Sequence, residues 1–199
     1  MVGGSTVTSS NQLDDTVSTI KHACSLPVIL FPNGLSGISR LADAIFFMSL
    51  LNSSKTQYIT GAQALGAPTV RRLRLEPIPL GYILVGSSNT AVSSISNAEL
   101  IPYNNPDLAA SYALAAQYLG MRFVYLEAGS GAAKPVDPEM VHKVTREVEV
   151  PVIVGGGVRT PEQAKSLAKA GASAIVTGTV LEQEGAFRVR NIVTAIRRA

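Results

Sequence analysis

Cysteine and histidine are nearly absent from this chain, and charge is sparse. The single thiol, Cys24, excludes an intrachain disulfide framework and suits a reducing cytoplasm. It follows the helix-like stretch Asp14–Ala23 with no motif nearby, so it reads as a packed thiol and not as a nucleophile. The two histidines, His22 and His142, have no partner at metal-ligand spacing, and His142 falls among charged residues where a surface helix position is expected. Charged residues make up 16% of the chain against 46% apolar, which fits neither a disordered chain nor an acidic tail. With a net charge of +3 and no dense Lys/Arg run, the electrostatic footprint of a nucleic-acid binder is missing. Long hydrophobic runs are missing too. The most apolar segment, Ala44–Leu51, is too short for a bilayer, which takes about 20 residues. No charged segment leads into an apolar one at the N-terminus, as a secretory signal would. These absences leave a soluble chain of 199 residues, with one sizeable core and a single domain as the default.

What is present is an alternation of short apolar strands with amphipathic helices. The expected strands are Val2–Ser5, Val28–Phe31, Ala44–Leu50, Gly81–Val85, Phe123–Glu127, Val152–Val154 and Ala174–Thr177. They are continuous apolar runs, as in parallel strands covered on both faces. The helices carry clear punctuation. Asn105-Pro106 opens a helix closing near Gly120, and Asp137-Pro138 opens the next. Thr160-Pro161-Glu162-Gln163 combines a capping hydroxyl, proline at the first helical position and the capping-box glutamine, with Gly171 closing that helix. A last helix is expected over about Phe187–Arg198. The serines of Ser5–Ser10 and Ser87–Ser96 are expected in loops after strands.

Three strand ends carry chemistry. Phe123–Gly131, Val152–Gly157 and Ala174–Thr179 each run from β-branched or aromatic residues into glycine, and two of them carry a hydroxyl at the stop. Glycine lets backbone N–H groups approach an anion with no Cβ in the way. Gly155-Gly156-Gly157 and Gly178-Thr179 suit a phosphate site built from the last two strands and a short helix starting near Val180. In Tyr125-Leu126-Glu127, alternation places Tyr125 and Glu127 on one face, the barrel lumen, and Leu126 on the other. A carboxylate at such a position can accept a substrate hydroxyl and take up its proton. Gly3-Gly4-Ser5-Thr6 is a further glycine–hydroxyl stop, equally a simple turn or a place for phosphate or Mg²⁺. Arg71, Arg72 and Arg74 read as a solvated helix face, and Phe46-Phe47 as core.

The fold class that follows is α/β, of the (β/α)8 TIM-barrel type, with about seven parallel strands in this chain. Such a barrel takes eight strands and typically about 250 residues, so the pattern reads as N-terminally truncated, with the first βα unit missing. An open doubly wound sheet is the alternative.

The chain closely resembles the geranylgeranylglyceryl phosphate synthase family, especially its archaeal branch. The resemblance rests on Val2-Gly-Gly-Ser5, Leu30–Gly34, Asp43–Ser53, Gly61–Ala64, Leu75–Pro79, Gly81-Tyr82, Tyr125–Gly131, Val154–Arg159 and Ile175–Thr179. It implies a prenyltransferase that joins a geranylgeranyl group, from geranylgeranyl diphosphate, to the 3-hydroxyl of sn-glycerol 1-phosphate in archaeal membrane lipid biosynthesis. By that resemblance Tyr125, Leu126, Glu127, Ala128, Gly129, Ser130 and Gly131, with Gly156, Gly157, Gly178 and Thr179, hold glycerol 1-phosphate. Tyr125 and Glu127 contact its hydroxyls, Glu127 accepts the proton, and Ser5 helps bind Mg²⁺. A homo-oligomer in the cytoplasm is implied as well. The family's first strand carries a Lys and a Mg²⁺-binding Asp with no counterpart here, so the expectation is that these residues alone are nearly inactive. Two other readings stay open: another phosphate-binding barrel enzyme (an isomerase or synthase), and a non-catalytic degenerate barrel.

Overall fold

The structure, a computed structural model, describes residues 1–3, 9–86 and 91–199. The chain divides into two compact units, Met1–Ser49 with Thr56–Pro79, and Leu50–Lys55 with Leu80–Ala199.

In the first unit β1 (Val2–Gly3), β2 (Ile29–Phe31) and β3 (Ala44–Leu50) pair in parallel and in chain order. The rest of the predicted first strand lies outside the described residues. Helix α1 (Ser10–Ala23) starts where the Ser9 hydroxyl accepts the Gln12 N–H at 3.3 Å, a cap worth about 1 kcal/mol. Leu13 and Val17, four apart and so on one helical face, bury against Val28, Leu30, Ile45, Val70 and Leu75. Asp43, just before β3, accepts the Val28 N–H at 2.7 Å and the Lys21 ammonium at 2.6 Å. The Lys21 hydrogen bond, then that of Val28, holds its carboxyl below the ordinary range. One side chain thus pins the starts of two neighbouring strands to α1. A π-turn over Gln57–Gly61 leads into α2 (Ala62–Leu73), which Arg74 ends in the left-handed conformation, φ 56°. Arg71, Arg72 and Arg74 are exposed, and Phe46 is buried edge-on to Phe31, as the sequence suggested.

Strand β4 (Glu76–Leu84) has its second half in the second unit, where β5 (Phe123–Glu127), β6 (Val152–Gly155) and β7 (Ala174–Val176) follow it in parallel and in chain order. That succession of parallel βα units excludes the strand reversal of a doubly wound sheet. Helices α3 (Ala91–Ser96), α4 (Pro106–Tyr118), α5 (Pro138–Glu147), α6 (Pro161–Lys169) and α7 (Thr179–Arg197) intervene. The predicted caps are in place: Asn105 on the Leu108 N–H, Asp137 on the Glu139 N–H, and a full Thr160–Gln163 capping box. Helix α4 buries only alanines, Ala109, Ala110, Ala113 and Ala116, which lets it lie close to β4; a Cβ on Gly81 would come within 2.6 Å of Ala116 Cβ.

Three expectations need correction. Cys24 is not packed but exposed, because α1 ends there and the chain runs extended along the surface. β4 begins five residues before the predicted Gly81, at Glu76. Ser93 and Ser96 lie in α3, buried, not in a loop. The short helix expected near Val180 and the last helix expected from about Phe187 are both present, as the two parts of α7 on either side of Gly185, whose φ of 76° and ψ of −178° are not helical.

Candidate active site

The site is assembled at the carboxyl ends of β4, β5 and β6. Register sets Tyr82 beside Tyr125 and Leu84 beside Glu127, and residues paired across parallel strands present their side chains to the same face. Tyr82, Tyr125 and Glu127 therefore share one face, while Leu126 and Val124 join the core cluster on the other. All three are buried: Glu127 is 7% exposed, Tyr82 6% and Tyr125 2%.

A buried carboxylate without partners is expensive. Glu127 is held by the Gly129 N–H, which donates to Oε1 at 2.6 Å. Burial pushes its pKa above the usual carboxylate value, against the opposing pull of Tyr125, Gly129 and Tyr82. Both tyrosines are pushed upward in turn, by burial first and by the Glu127 charge second, so at neutral pH they stay protonated. Such a group has the pieces of a general base: basicity raised by burial and a geometry fixed by the Gly129 N–H.

Glycines make room around it. A Cβ on Gly155 would overlap the Tyr125 hydroxyl. One on Gly156 would overlap Glu127 Oε1 and come within 2.6 Å of the Gly129 nitrogen. Gly156 and Gly157 also have φ of 75° and 70°, left-handed values that favour glycine. The loop after β5 is fastened at both sides. Ala128 N–H donates to the Gly155 carbonyl at 2.9 Å, and the Arg159 guanidinium donates to the Gly131 carbonyl at 3.3 Å. Ser130 and Gly131 sit exposed at the rim. The ends of β6 and β7 are tied by the Thr177 hydroxyl donating to the Val158 carbonyl at 3.1 Å. Gly178 then caps α7, exposed, at φ −112°, with nothing within 4 Å of where its Cβ would stand.

The structure thus brings Tyr125, Glu127, Ala128, Gly129 and Gly156 together around one carboxylate, with Gly157 following in the same turn. Gly178 and Thr179 lie past the end of the next strand. Leu126 points away from them into the core. Ser5 lies outside the described residues. Tyr82 was missed by the sequence reading, although Gly81-Tyr82 stands among the residues that carried the resemblance. Only the β4–β5 register shows where it stands.

Consecutive parallel βα units, with a buried acid and glycine-stopped ends on one rim, define the class: a phosphate-handling enzyme of the TIM-barrel type. Residues 1–196 match the PcrB family, and the chain belongs to it. It is 60% identical over 182 residues to the geranylgeranylglyceryl phosphate synthase of Pyrococcus abyssi, covering 92% of this chain and 72% of that protein. To that of Methanopyrus kandleri it is 53% identical, covering 92% and 76%. The structure is similar to the (S)-3-O-geranylgeranylglyceryl phosphate synthase of Thermoplasma acidophilum, solved in complex with sn-glycerol-1-phosphate. The TM-score is 0.95 at 46% identity, over 100% of this chain and 81% of that one. The fold is therefore that of this barrel, with seven strands in this chain.

Proposed function

We infer that this chain is a prenyltransferase, a geranylgeranylglyceryl phosphate synthase, that joins a geranylgeranyl group to the 3-hydroxyl of sn-glycerol 1-phosphate through an ether bond in membrane lipid biosynthesis. The observation that carries the reading is the buried Glu127, held by the Gly129 N–H, between glycine-stopped strand ends. It stands on a scaffold that follows, at a TM-score of 0.95, a synthase solved with sn-glycerol-1-phosphate.

In the reaction the 3-hydroxyl oxygen of glycerol 1-phosphate bonds to the allylic carbon of geranylgeranyl diphosphate. The carbon–oxygen bond to diphosphate breaks, diphosphate leaves with the electron pair, and the hydroxyl proton passes to Glu127. The residues contribute position and charge. Glu127 holds the reacting hydroxyl and accepts its proton. The amides of Gly156, Gly157, Gly178 and Thr179 receive the phosphate. Tyr125 and the loop Ala128–Gly131 complete the wall. We take residues 1–199 to act as one phosphate-binding domain, in the cytoplasm and as a homo-oligomer.

Mg²⁺ enters this proposal through the resemblance alone. Among the described residues no three His, Cys, Asp or Glu side chains gather to hold a metal, and Ser5 is not among them. Among the described residues no helix is long and apolar enough to cross a membrane.

Calorimetry against sn-glycerol 1-phosphate, sn-glycerol 3-phosphate and inorganic phosphate tests the reading, with mass spectrometry for the ether product in the presence of geranylgeranyl diphosphate and Mg²⁺. The 1-phosphate is expected to bind most tightly. Equal binding of all three would replace this function by that of another phosphate-binding barrel.

A further inference from the structure

A single side chain joins the two glycine ends assigned to the phosphate. The β6–β7 ladder runs as far as the pair Gly155 and Val176. Gly156 and Gly157 then turn away at φ of 75° and 70°, while on the other strand Thr177 leads into Gly178. Across this gap the half-buried Thr177 donates its hydroxyl to the Val158 carbonyl at 3.1 Å. Thr177 directly precedes Gly178, and Val158 directly follows Gly157. The two sides differ in firmness. Val158 is buried in the core, and the next N–H, that of Arg159, donates to Gln163 Oε1 at 2.8 Å, in the capping box of α6. The loop after β5 also packs on this side, since a Cβ on Gly157 would overlap the Lys134 carbonyl. The Gly178 side has no such support. There α7 starts with no side-chain cap, and a Cβ would meet nothing within 4 Å.

We propose that Thr177 is a positioning residue for the phosphate site: its hydroxyl fastens the end of β7 to the end of β6 and so sets the spacing between the Gly156-Gly157 amides and the Gly178-Thr179 amides. This rests on the glycerol phosphate reading and deepens it. A hydroxyl carries one proton. That of Thr177 goes to Val158, which leaves its oxygen an acceptor only, and a phosphate oxygen is an acceptor too. Thr177 therefore acts through the backbone and does not itself bind the anion. Its branched side chain suits the task, because two heavy atoms on Cβ restrict χ1 and hold the hydroxyl toward β6. Charge-assisted N–H bonds to an anion want about 2.7–2.9 Å and weaken steeply when misaligned. One phosphate that rests on two strand ends needs both sets of amides in place at once. Freed from Val158, the Gly178 side would have to be ordered by the ligand, at a cost to affinity.

Thr177→Val removes the hydroxyl at nearly constant shape, and Thr177→Ser restores it. Each variant is titrated with inorganic phosphate and with sn-glycerol 1-phosphate, by calorimetry and ³¹P NMR, well below its unfolding temperature. In Thr177→Val both affinities are expected to fall by the same factor, roughly three- to tenfold, the worth of one hydrogen bond. Thr177→Ser is expected to stay within about twofold of the unsubstituted protein. A residue that served stability alone would lower the urea midpoint and leave both affinities of the folded protein where they were. Where Thr177→Val does not fold, Thr177→Ala adds no bulk and carries the same expectation. Three results would overturn the proposal: a fall of less than about twofold on losing the hydroxyl, a fall for glycerol phosphate that inorganic phosphate does not share, or a serine variant as weak as the valine one. An unsubstituted protein that binds neither ligand would strike the phosphate site of the function reading, and the proposal with it.

Discussion

Gly155 stands where the Tyr125 hydroxyl needs space: a Cβ on that glycine would overlap the hydroxyl oxygen and lie 2.8 Å from the carbon that bears it. Gly155 does not have a positive φ, so the backbone would accept alanine. Room for the side chain across the strand pair is the reason for glycine.

Gly155→Ala is therefore expected to destabilise the protein by about 1–3 kcal/mol, the usual range for overpacking a core. Tyr125→Phe in the same chain removes the hydroxyl and should recover part of that loss. The coupling, read from urea unfolding of the two single variants and the double, is expected at roughly 0.5–3 kcal/mol. Strict additivity would mean that the two residues do not compete for the same space.

Glu127→Gln keeps size and shape but removes the base. Prenyl transfer is expected to fall about 10²–10⁴-fold, with affinity for sn-glycerol 1-phosphate changed far less. Single-turnover rates and calorimetry on one preparation separate the two effects. Full transfer activity in the variant would remove Glu127 from the role of base.

The same substitution has a signature in stability. Burial raises the Glu127 pKa above its usual value of 4.5, so the native state holds the proton more tightly than the unfolded chain does. Charging this group in the folded protein is thus unfavourable. That penalty is absent below about pH 4.5, grows as the pH rises to the folded pKa, and stays constant above it. Glu127→Gln does not titrate. The difference in Tm between the variant and the unsubstituted protein should therefore shift in favour of the variant between pH 4 and pH 7. A difference independent of pH would mean the carboxyl titrates alike in both states.

Much of this was legible in the sequence because the signals are local. Asn105, Asp137 and Thr160 announce helices through their own side chains, and alternation alone puts Tyr125 and Glu127 on one face. The start of β4 was not legible, since Pro77 and Pro79 look like loop residues. They are two apart, so their missing N–H groups fall on the same side. The N–H groups of the residues between remain available on the other, and the Glu76 N–H donates to the Asp43 carbonyl at 3.2 Å. The exposure of Cys24 was illegible because it depends on what packs beyond the end of α1. Tyr82 escaped for a similar reason. It comes beside Tyr125 only through the register of a neighbouring strand, and no local pattern encodes that.

Asn52, likewise hidden from local reading, stitches the end of β4 in place. Its side chain accepts the Leu84 N–H at 3.0 Å and donates to the carbonyls of Leu84 at 2.9 Å and Glu99 at 2.8 Å. Leu84 is the register partner of Glu127, and Asn52 is 3% exposed, out of reach of replacement water. Asn52→Ala leaves buried backbone groups without partners, each costing about 1–3 kcal/mol. A loss of roughly 3 kcal/mol or more is expected in urea unfolding. A loss below about 1 kcal/mol would mean that the strand end holds its place without this side chain.

Gly156 and Gly178 separate the demands of the fold from those of the ligand. At Gly156 a side chain meets Glu127 and Gly129 and must adopt φ of 75°, so any substitution there disturbs the protein before substrate arrives. At Gly178 φ is −112° and a Cβ would meet nothing within 4 Å, so the fold itself does not require glycine. A phosphate resting on the Gly178 and Thr179 amides would require it, because a side chain there would stand in the approach to those N–H groups. Gly178→Val is therefore expected to cost no more than about 1 kcal/mol in urea unfolding, the loss from a poorer N-cap residue. Affinity for sn-glycerol 1-phosphate should fall at least about tenfold, the loss of roughly one charge-assisted hydrogen bond. Unchanged affinity by calorimetry would place the phosphate elsewhere on the rim.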